Sequence, residues 1–227
     1  GEGGSFLWKF IALLNPFALL TGFVSLAMLI THGAAWLSLK AEGPVAIRAR
    51  AIGQISGLIT IAGYALAGLW LAIGMKGYAI VGDAVTDGPS NPLYSEVERT
   101  SSWLSAYADR PWIAIAPFLG FLGMIMAVRG LRAGWEVSTL LWSQLGIFGA
   151  ISSVGLTMFP FILPSSTDPR SSLTVWDASS SHSTLFIMLV ATLILLPIVM
   201  AYTAWVYKVL WGKVTEADVT GSSDSLY

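Results

Sequence analysis

Hydrophobic positions in this chain come in five long runs. They show neither the strict alternation of a half-buried strand nor the one-sided stripe of a soluble helix. The runs cover residues 17–39, 51–75, 111–128, 137–163 and 184–207. At ~1.5 Å per residue, runs of this length can cross a hydrocarbon layer ~30 Å thick as helices. Asn15-Pro16 suits the start of the first, with Pro in the opening turn. Pro117 and Pro197 interrupt the third and fifth. The pattern predicts an all-α fold: a polytopic membrane helix bundle with five transmembrane helices, forming a single membrane domain over residues 1–227.

The polar segments between the runs differ in length. Residues 40–50 read as a short loop, and residues 129–136 as a tight basic turn. Residues 76–110 are the longest connection, too long to be idle. Within it Asn91-Pro92 can open a helix, and Leu93, Val97, Leu104 and Tyr107 recur at roughly helical spacing. A short amphipathic helix lying on the membrane surface or on a partner is expected there. Residues 208–227 form a polar tail.

The connection at residues 158–185, MFPFILPSSTDPRSSLTVWDASSSHSTL, carries the most local information. Pro160 and Pro164 each remove a backbone donor and restrict the residue before them, so the fourth helix stops or breaks near the membrane surface. Asp177, or one of Ser179, Ser180 and Ser181, can cap the fifth helix by accepting its orphan N–H groups. Trp176 has a large apolar body and one N–H donor, which suits a buried contact with a wet edge. Two readings stand for this stretch: a fixed extramembrane hairpin, or a subunit contact. Gly53 and Gly57 form a small-xxx-small pair on the second span, where two helices can approach closely. The candidate structural or subunit-contact residues are therefore Pro160, Pro164, Trp176, Asp177, Gly53 and Gly57.

Composition sharpens the picture. Of 227 residues, 55% are hydrophobic and 11% charged, against about 25% charged in soluble domains. The net charge of −1 gives no reason to expect a nucleic-acid partner. The absence of cysteine excludes disulfides, thiolate catalysis and Cys-ligated metal. No signal peptide is evident, and a first residue of Gly rather than Met marks a processed chain or a piece of a longer one. Lys40, Arg48, Arg50, Arg129, Arg132, Lys208 and Lys213 stand on one side of the spans. Lys9, Lys76, Arg99, Arg110 and Arg170 stand on the other. Seven against five places the N-terminus outside and the C-terminus in the cytoplasm.

Intramembrane ionisable groups are costly and mark function. The five runs hold one, His32, and no acid or other base deep in the bilayer. His32 could ligate a haem, but a hydrogen bond to a neighbouring helix is the more frequent use of a lone imidazole. His182, at the start of the fifth run, reads as a cap or water contact, and Gln54 and Gln144 as interhelical hydrogen bonders. No catalytic residue, metal site or cofactor-binding residue is assigned.

The segments NPFALLTGFVSLAMLITHGAAWL, RARA, the proline-serine stretch with VWDA, YTAWVYK and the terminal SLY together resemble subunit II of the bacterial cytochrome bd-type quinol oxidase. The likeness runs from Phe6 onward. It implies a multi-pass protein of the bacterial inner membrane, in a complex that oxidises quinol, reduces O2 to water and builds a proton gradient without pumping. Haem b and haem d would reside in subunit I. This chain would bind no cofactor and act as that subunit's scaffold, beside membrane lipid and small accessory subunits. The family has nine spans, two four-helix bundles and an extra helix. The present five resemble the last five, a four-helix bundle plus one peripheral helix, with the N-terminal half of subunit II missing. Two rivals are a fragment of a secondary transporter, which requires broken helices around a polar midplane site, and a non-respiratory membrane anchor or assembly protein. Replacing Trp176 with Ala is expected to damage assembly more than the same change at Asp177.

Overall fold

In the computed structural model, residues 14–82, 91, 96–100, 102–166 and 168–215 are described. Among the described residues, five helices are long and apolar enough to cross a membrane. They are α1 (Pro16–Lys40), α2 (Gly43–Gly74), α4 (Ile115–Ala133, preceded by a 3-10 turn, Pro111–Ala114), α5 (Glu136–Met158) and α6 (His182–Val209). A five-residue helix α3 (Ser105–Asp109) precedes the third span. Two antiparallel pairs complete the fold: β1 (Gly77–Val81) with β2 (Glu96–Thr100), and β3 (Phe161–Leu163) with β4 (Leu173–Thr174).

The chain divides into two compact units. One comprises Gly1–Met75, Leu104–Thr157 and Lys213–Tyr227; the other comprises Lys76–Trp103 and Met158–Gly212. The first therefore holds four spans and the second holds α6.

Helix starts follow the local chemistry. The Asn15 side chain accepts from the Ala18 N–H at 2.8 Å, and Pro16 takes the first helical position. α4 ends on Gly134 at φ 75°, a left-handed conformation that glycine adopts without a Cβ penalty. Pro117 falls in the first turn of α4, and Pro197 lies inside an unbroken α6. Neither proline breaks its helix, so the discontinuous spans that a transporter reading requires do not form.

Three segments differ from the sequence expectation. Residues 43–50 are helix rather than loop. α2 has 32 residues, about 48 Å at 1.5 Å per residue, and overshoots a ~30 Å core, so Arg48 and Arg50 ride on its protruding end. The fourth helix stops at Met158; Phe159 and Pro160 turn, and 161–163 is strand. In the long connection, Val97 lies in β2, where it is buried between exposed Glu96 and Glu98. Helix appears among its described residues only as α3, and Leu93 lies outside them.

Candidate functional site

Within the four-helix unit, small and hydroxyl side chains share the interior with buried aliphatic ones such as Ile113, Met124, Val128 and Leu131. Gly120, Gly123, Gly146 and Gly149 form the seam between α4 and α5. A Cβ on Gly123 would fall on the backbone of Gly146 and within 2.7 Å of the Trp142 carbonyl. One on Gly149 would fall on the Gly120 amide and within 2.8 Å of the Ala116 carbonyl. The two helices touch backbone to backbone, which only glycine permits. Gly53 and Gly57 occupy a second seam. A Cβ on Gly53 would lie 2.5 Å from Ala34 Cβ and 2.8 Å from Leu131 Cδ1, and one on Gly57 would meet Val128 and Thr31. Both glycines are buried, packed against this chain's own α1 and α4.

Buried hydroxyls fill further positions. Thr31 Oγ1 lies 2.9 Å from Ser56 Oγ, and Thr31 also donates to the Ala27 carbonyl. Tyr64 OH lies 2.6 Å from Ser153 Oγ, with its ring against Phe121 at 4.8 Å. Tyr107 OH lies 2.9 Å from Thr157 Oγ1. Such groups satisfy themselves on the helix backbone or on each other, which a hydrocarbon environment demands. His32 belongs to this network: its Nδ1 lies 2.8 Å from Ser143 Oγ across the α1–α5 seam. The imidazole is used as an interhelical hydrogen bond. Gln54 and Gln144 are not so used; neither makes a hydrogen bond among the described residues.

The second unit holds the proline-serine stretch. Phe159-Pro160 is a cis peptide bond, and the Pro160 carbonyl accepts from the Val175 N–H at 3.0 Å. This bond, with the Phe161–Thr174 pairing, closes the stretch into a hairpin. Pro164 follows β3 and is half-buried. Trp176 is also half-buried and packs edge-on against Phe159 at 5.9 Å. Asp177 is buried at 3% exposure and accepts the Thr174 hydroxyl at 2.5 Å, while its own N–H donates to Thr174 Oγ1.

Asp177 is therefore the lock of the turn after β4 and does not cap the fifth helix. That cap is Ser181, whose Oγ accepts from the Thr184 N–H at 3.4 Å. His182 opens the helix and is exposed. The hairpin meets β1 and β2 through side chains. Tyr78, Trp103 and Phe161 form an aromatic cluster with centroids 5.5–6.1 Å apart. Tyr78 OH donates to the Ser165 carbonyl at 2.8 Å, and Arg99 donates to the Ser166 carbonyl. Among the described residues, no three His, Cys, Asp or Glu side chains gather where they could hold a metal ion.

Sequence reasoning missed the α4–α5 seam, although the repeated G-x-x-G in FLGFLGM and QLGIFGA displays it. It also missed the partners of Asp177, because Thr174 lies three residues away inside a turn that only the strand pairing creates.

The sequence profile of the cytochrome bd terminal oxidase subunit II family matches residues 2–210. The chain is 38% identical over 220 residues to cytochrome bd-I ubiquinol oxidase subunit 2 of Escherichia coli (strain K12). It is 36% identical over 220 residues to a probable cytochrome oxidase subunit 2 of Haemophilus influenzae. Both alignments use 96% of this chain and 58% of the relative, so the chain spans less than two thirds of their length. Cytochrome bd ubiquinol oxidase subunit 2 of Bacillus subtilis is 23% identical over 90% of the chain. With its profile matched over nearly all residues and its five spans in place, this multi-pass chain belongs to the cytochrome bd terminal oxidase subunit II family.

Proposed function

We propose that this chain is the cofactor-free scaffold of a quinol-oxidising, O2-reducing complex in the bacterial inner membrane. It carries no catalytic residue of its own, and its role is to hold a haem-bearing partner subunit, with haem b and haem d and the quinol reaction in that partner. The observation that supports this best is what the interior is built from. Its hydroxyls and its one imidazole are bonded to one another or to helix backbone, and the half-buried amide of Gln54 beside them carries no charge. No acid lies in the core of a span. Scaffold packing uses such groups; electron and proton chemistry needs ligands and titratable sites that the spans do not offer.

The N-terminus lies outside and the tail in the cytoplasm, following the basic residues at the α1–α2 and α4–α5 ends. The proline-serine hairpin then lies on the outer side.

The scaffold reading is tested by purifying the chain alone and recording its visible spectrum, then repeating this with the partner subunit co-expressed. No Soret band in the first and a full one in the second is expected. A band at one haem per chain that disappears in His32→Ala overturns the proposal. Orientation is tested by single cysteines at Glu42 and Ser90 (the latter outside the described residues). Ser90 should label from outside and Glu42 only after permeabilisation; the reverse overturns the topology.

A further inference from the structure

Helix α5 has two faces of opposite character. Thr139, Ser143, Gly146, Gly149 and Ser153 are buried within the four-helix unit. Val137, Leu141, Gln144, Phe148 and Ile151, spaced by three and four residues, are all exposed. The apolar members of this outer stripe are 56–64% exposed. Gln144 alone is out of place.

It stands eight residues into the helix, about 12 Å along the axis, well inside the hydrocarbon layer. Its neighbour Ser143 meets His32 on the inner side, so the contacts of this helix aim Gln144 outward. Exposed hydroxyls elsewhere fold back on their own helix: Thr21 donates to the Ala18 carbonyl and Thr192 to the Met188 carbonyl. The amide of Gln144, with two N–H donors and an acceptor, makes no hydrogen bond among the described residues. Lipid tails offer it neither donor nor acceptor, and an unsatisfied polar group in hydrocarbon is costly.

We propose that the Val137–Ile151 stripe of α5 is a docking face for a transmembrane helix from another chain of the complex. That helix carries a hydroxyl, amide or carboxyl side chain at the depth of Gln144. The amide selects the occupant: an all-apolar helix or a lipid would leave it unpaired, whereas a polar side chain at that level accepts one bond and returns another. Leu141, Phe148 and Ile151 supply the packing around it. The inference rests on the scaffold reading only in that the chain works within a complex.

The test places a benzophenone amino acid at Phe148 in the intact complex in its native membrane, followed by irradiation and peptide mapping of the adduct. The expected product joins this chain to a different chain, at a transmembrane helix with a polar side chain within one turn of the linkage. Gln144→Leu in the same background lowers the adduct yield about threefold, the effect of one interhelical hydrogen bond in a bilayer. Gln144→Asn, which keeps the amide, loses less. Yields are normalised to the amount of chain in the membrane. Should the Leu variant not accumulate, Gln144→Met serves as the apolar replacement of closest shape. An adduct with lipid only, with α6 of this chain, with a second copy of this chain, or with a helix lacking a polar residue at that level overturns the inference. So does a yield indifferent to loss of the amide. A lipid-only adduct while the haem-bearing partner still co-purifies fails this inference and leaves the scaffold reading standing.

Discussion

The four-helix unit and helix α6 are built from the same apolar residues but handle burial differently. Spans α1, α2, α4 and α5 each bury a face, and every one of those faces is marked by glycine or a hydroxyl side chain. α6 has 28 residues, no glycine and no buried residue. It also has the highest mean hydropathy of the five, 2.7 in its most apolar window against 1.4–2.0. Apolar side chains alone do not bind helices together in a membrane, because lipid is as good a neighbour as leucine. Close approach and hydrogen bonds do. The four spans have both, and α6 has no glycine seam and no buried face of its own.

The sharpest way to break this contrast is to fill the α4–α5 seam. Gly149→Leu puts a side chain where the Gly120 backbone lies, so the helices must separate. The cost is at or beyond the upper end of the ~1–3 kcal/mol typical of overpacking. The chain should fail to accumulate in the membrane, as measured by immunoblot of the membrane fraction. Gly155 has nothing within 4 Å of a built Cβ, so Gly155→Leu is the matched control and should accumulate normally. Equal levels of both variants would mean that the seam does not hold the unit together.

A middle-sized effect is expected in the hairpin. Asp177→Ala leaves the fully buried Thr174 hydroxyl without its acceptor, a cost of roughly 1–3 kcal/mol. Trp176 is only half-buried, and its edge contact with Phe159 is worth about 0.5–1.5 kcal/mol beyond the area covered. With the apolar area that Trp176 covers added, the two changes should cost comparable amounts, a smaller gap than residue type alone suggests. The amount of assembled complex is the readout, with oxidase activity per haem staying close to normal in both. A collapse of turnover per haem at normal assembly would place the hairpin in the reaction path.

The spans were legible because hydropathy over ~20 residues reports a property of the whole helix. Their ends were less so. Residues 43–50 carry two arginines and look like a loop, yet a helix stiffened within the membrane continues past it where water can solvate the charges. The sequence EVERT holds one apolar position between charges, and at helical spacing Val97 aligns with Leu93, Leu104 and Tyr107 as part of a helix face. Its alternation, exposed-buried-exposed, is the strand signal. In the candidate site, Pro160 and the serine cap were readable because their effects are local. The role of Asp177 was not, since an acid before a helix and an acid locking a turn look alike until the β3–β4 pairing is known.

A smaller effect separates the imidazole from its surroundings. His32→Ala removes one hydrogen bond to Ser143, whose hydroxyl still donates to the Leu140 carbonyl at 2.7 Å. The loss should be about 1 kcal/mol, with assembly lowered only slightly and the visible spectrum of the complex unchanged. A changed Soret band would reopen His32 as a ligand.

The smallest effect lies at the edge of the four-helix unit, where its polar contacts leave the membrane. Glu136 opens α5, and its Oε1 accepts from Lys213 Nζ at 2.6 Å and from Arg50 Nη2 at 3.5 Å. Arg50 Nε donates to Ser38 Oγ at 2.9 Å, and the Val214 N–H donates to the Lys40 carbonyl at 2.8 Å. One carboxylate thus ties the tail to the start of α5, with Arg50 of α2 alongside. The Glu136 and Lys213 side chains are 29% and 36% exposed, so water and salt weaken their attraction, and such pairs contribute about 0.2–1 kcal/mol. Glu136 also complements the N-terminal dipole of α5. Glu136→Gln removes both charge effects and should lower the unfolding midpoint by roughly 2–4 °C at low salt. At 1 M salt, where the Debye length is about 3 Å, the gap from the unmodified chain should nearly close. Lys213→Ala should cost less than Glu136→Gln, because Arg50 remains beside the carboxylate. If the Glu136→Gln deficit persisted unchanged at 1 M salt, geometry rather than charge would hold the tail. The edge of the unit would then obey the same packing rule as its interior.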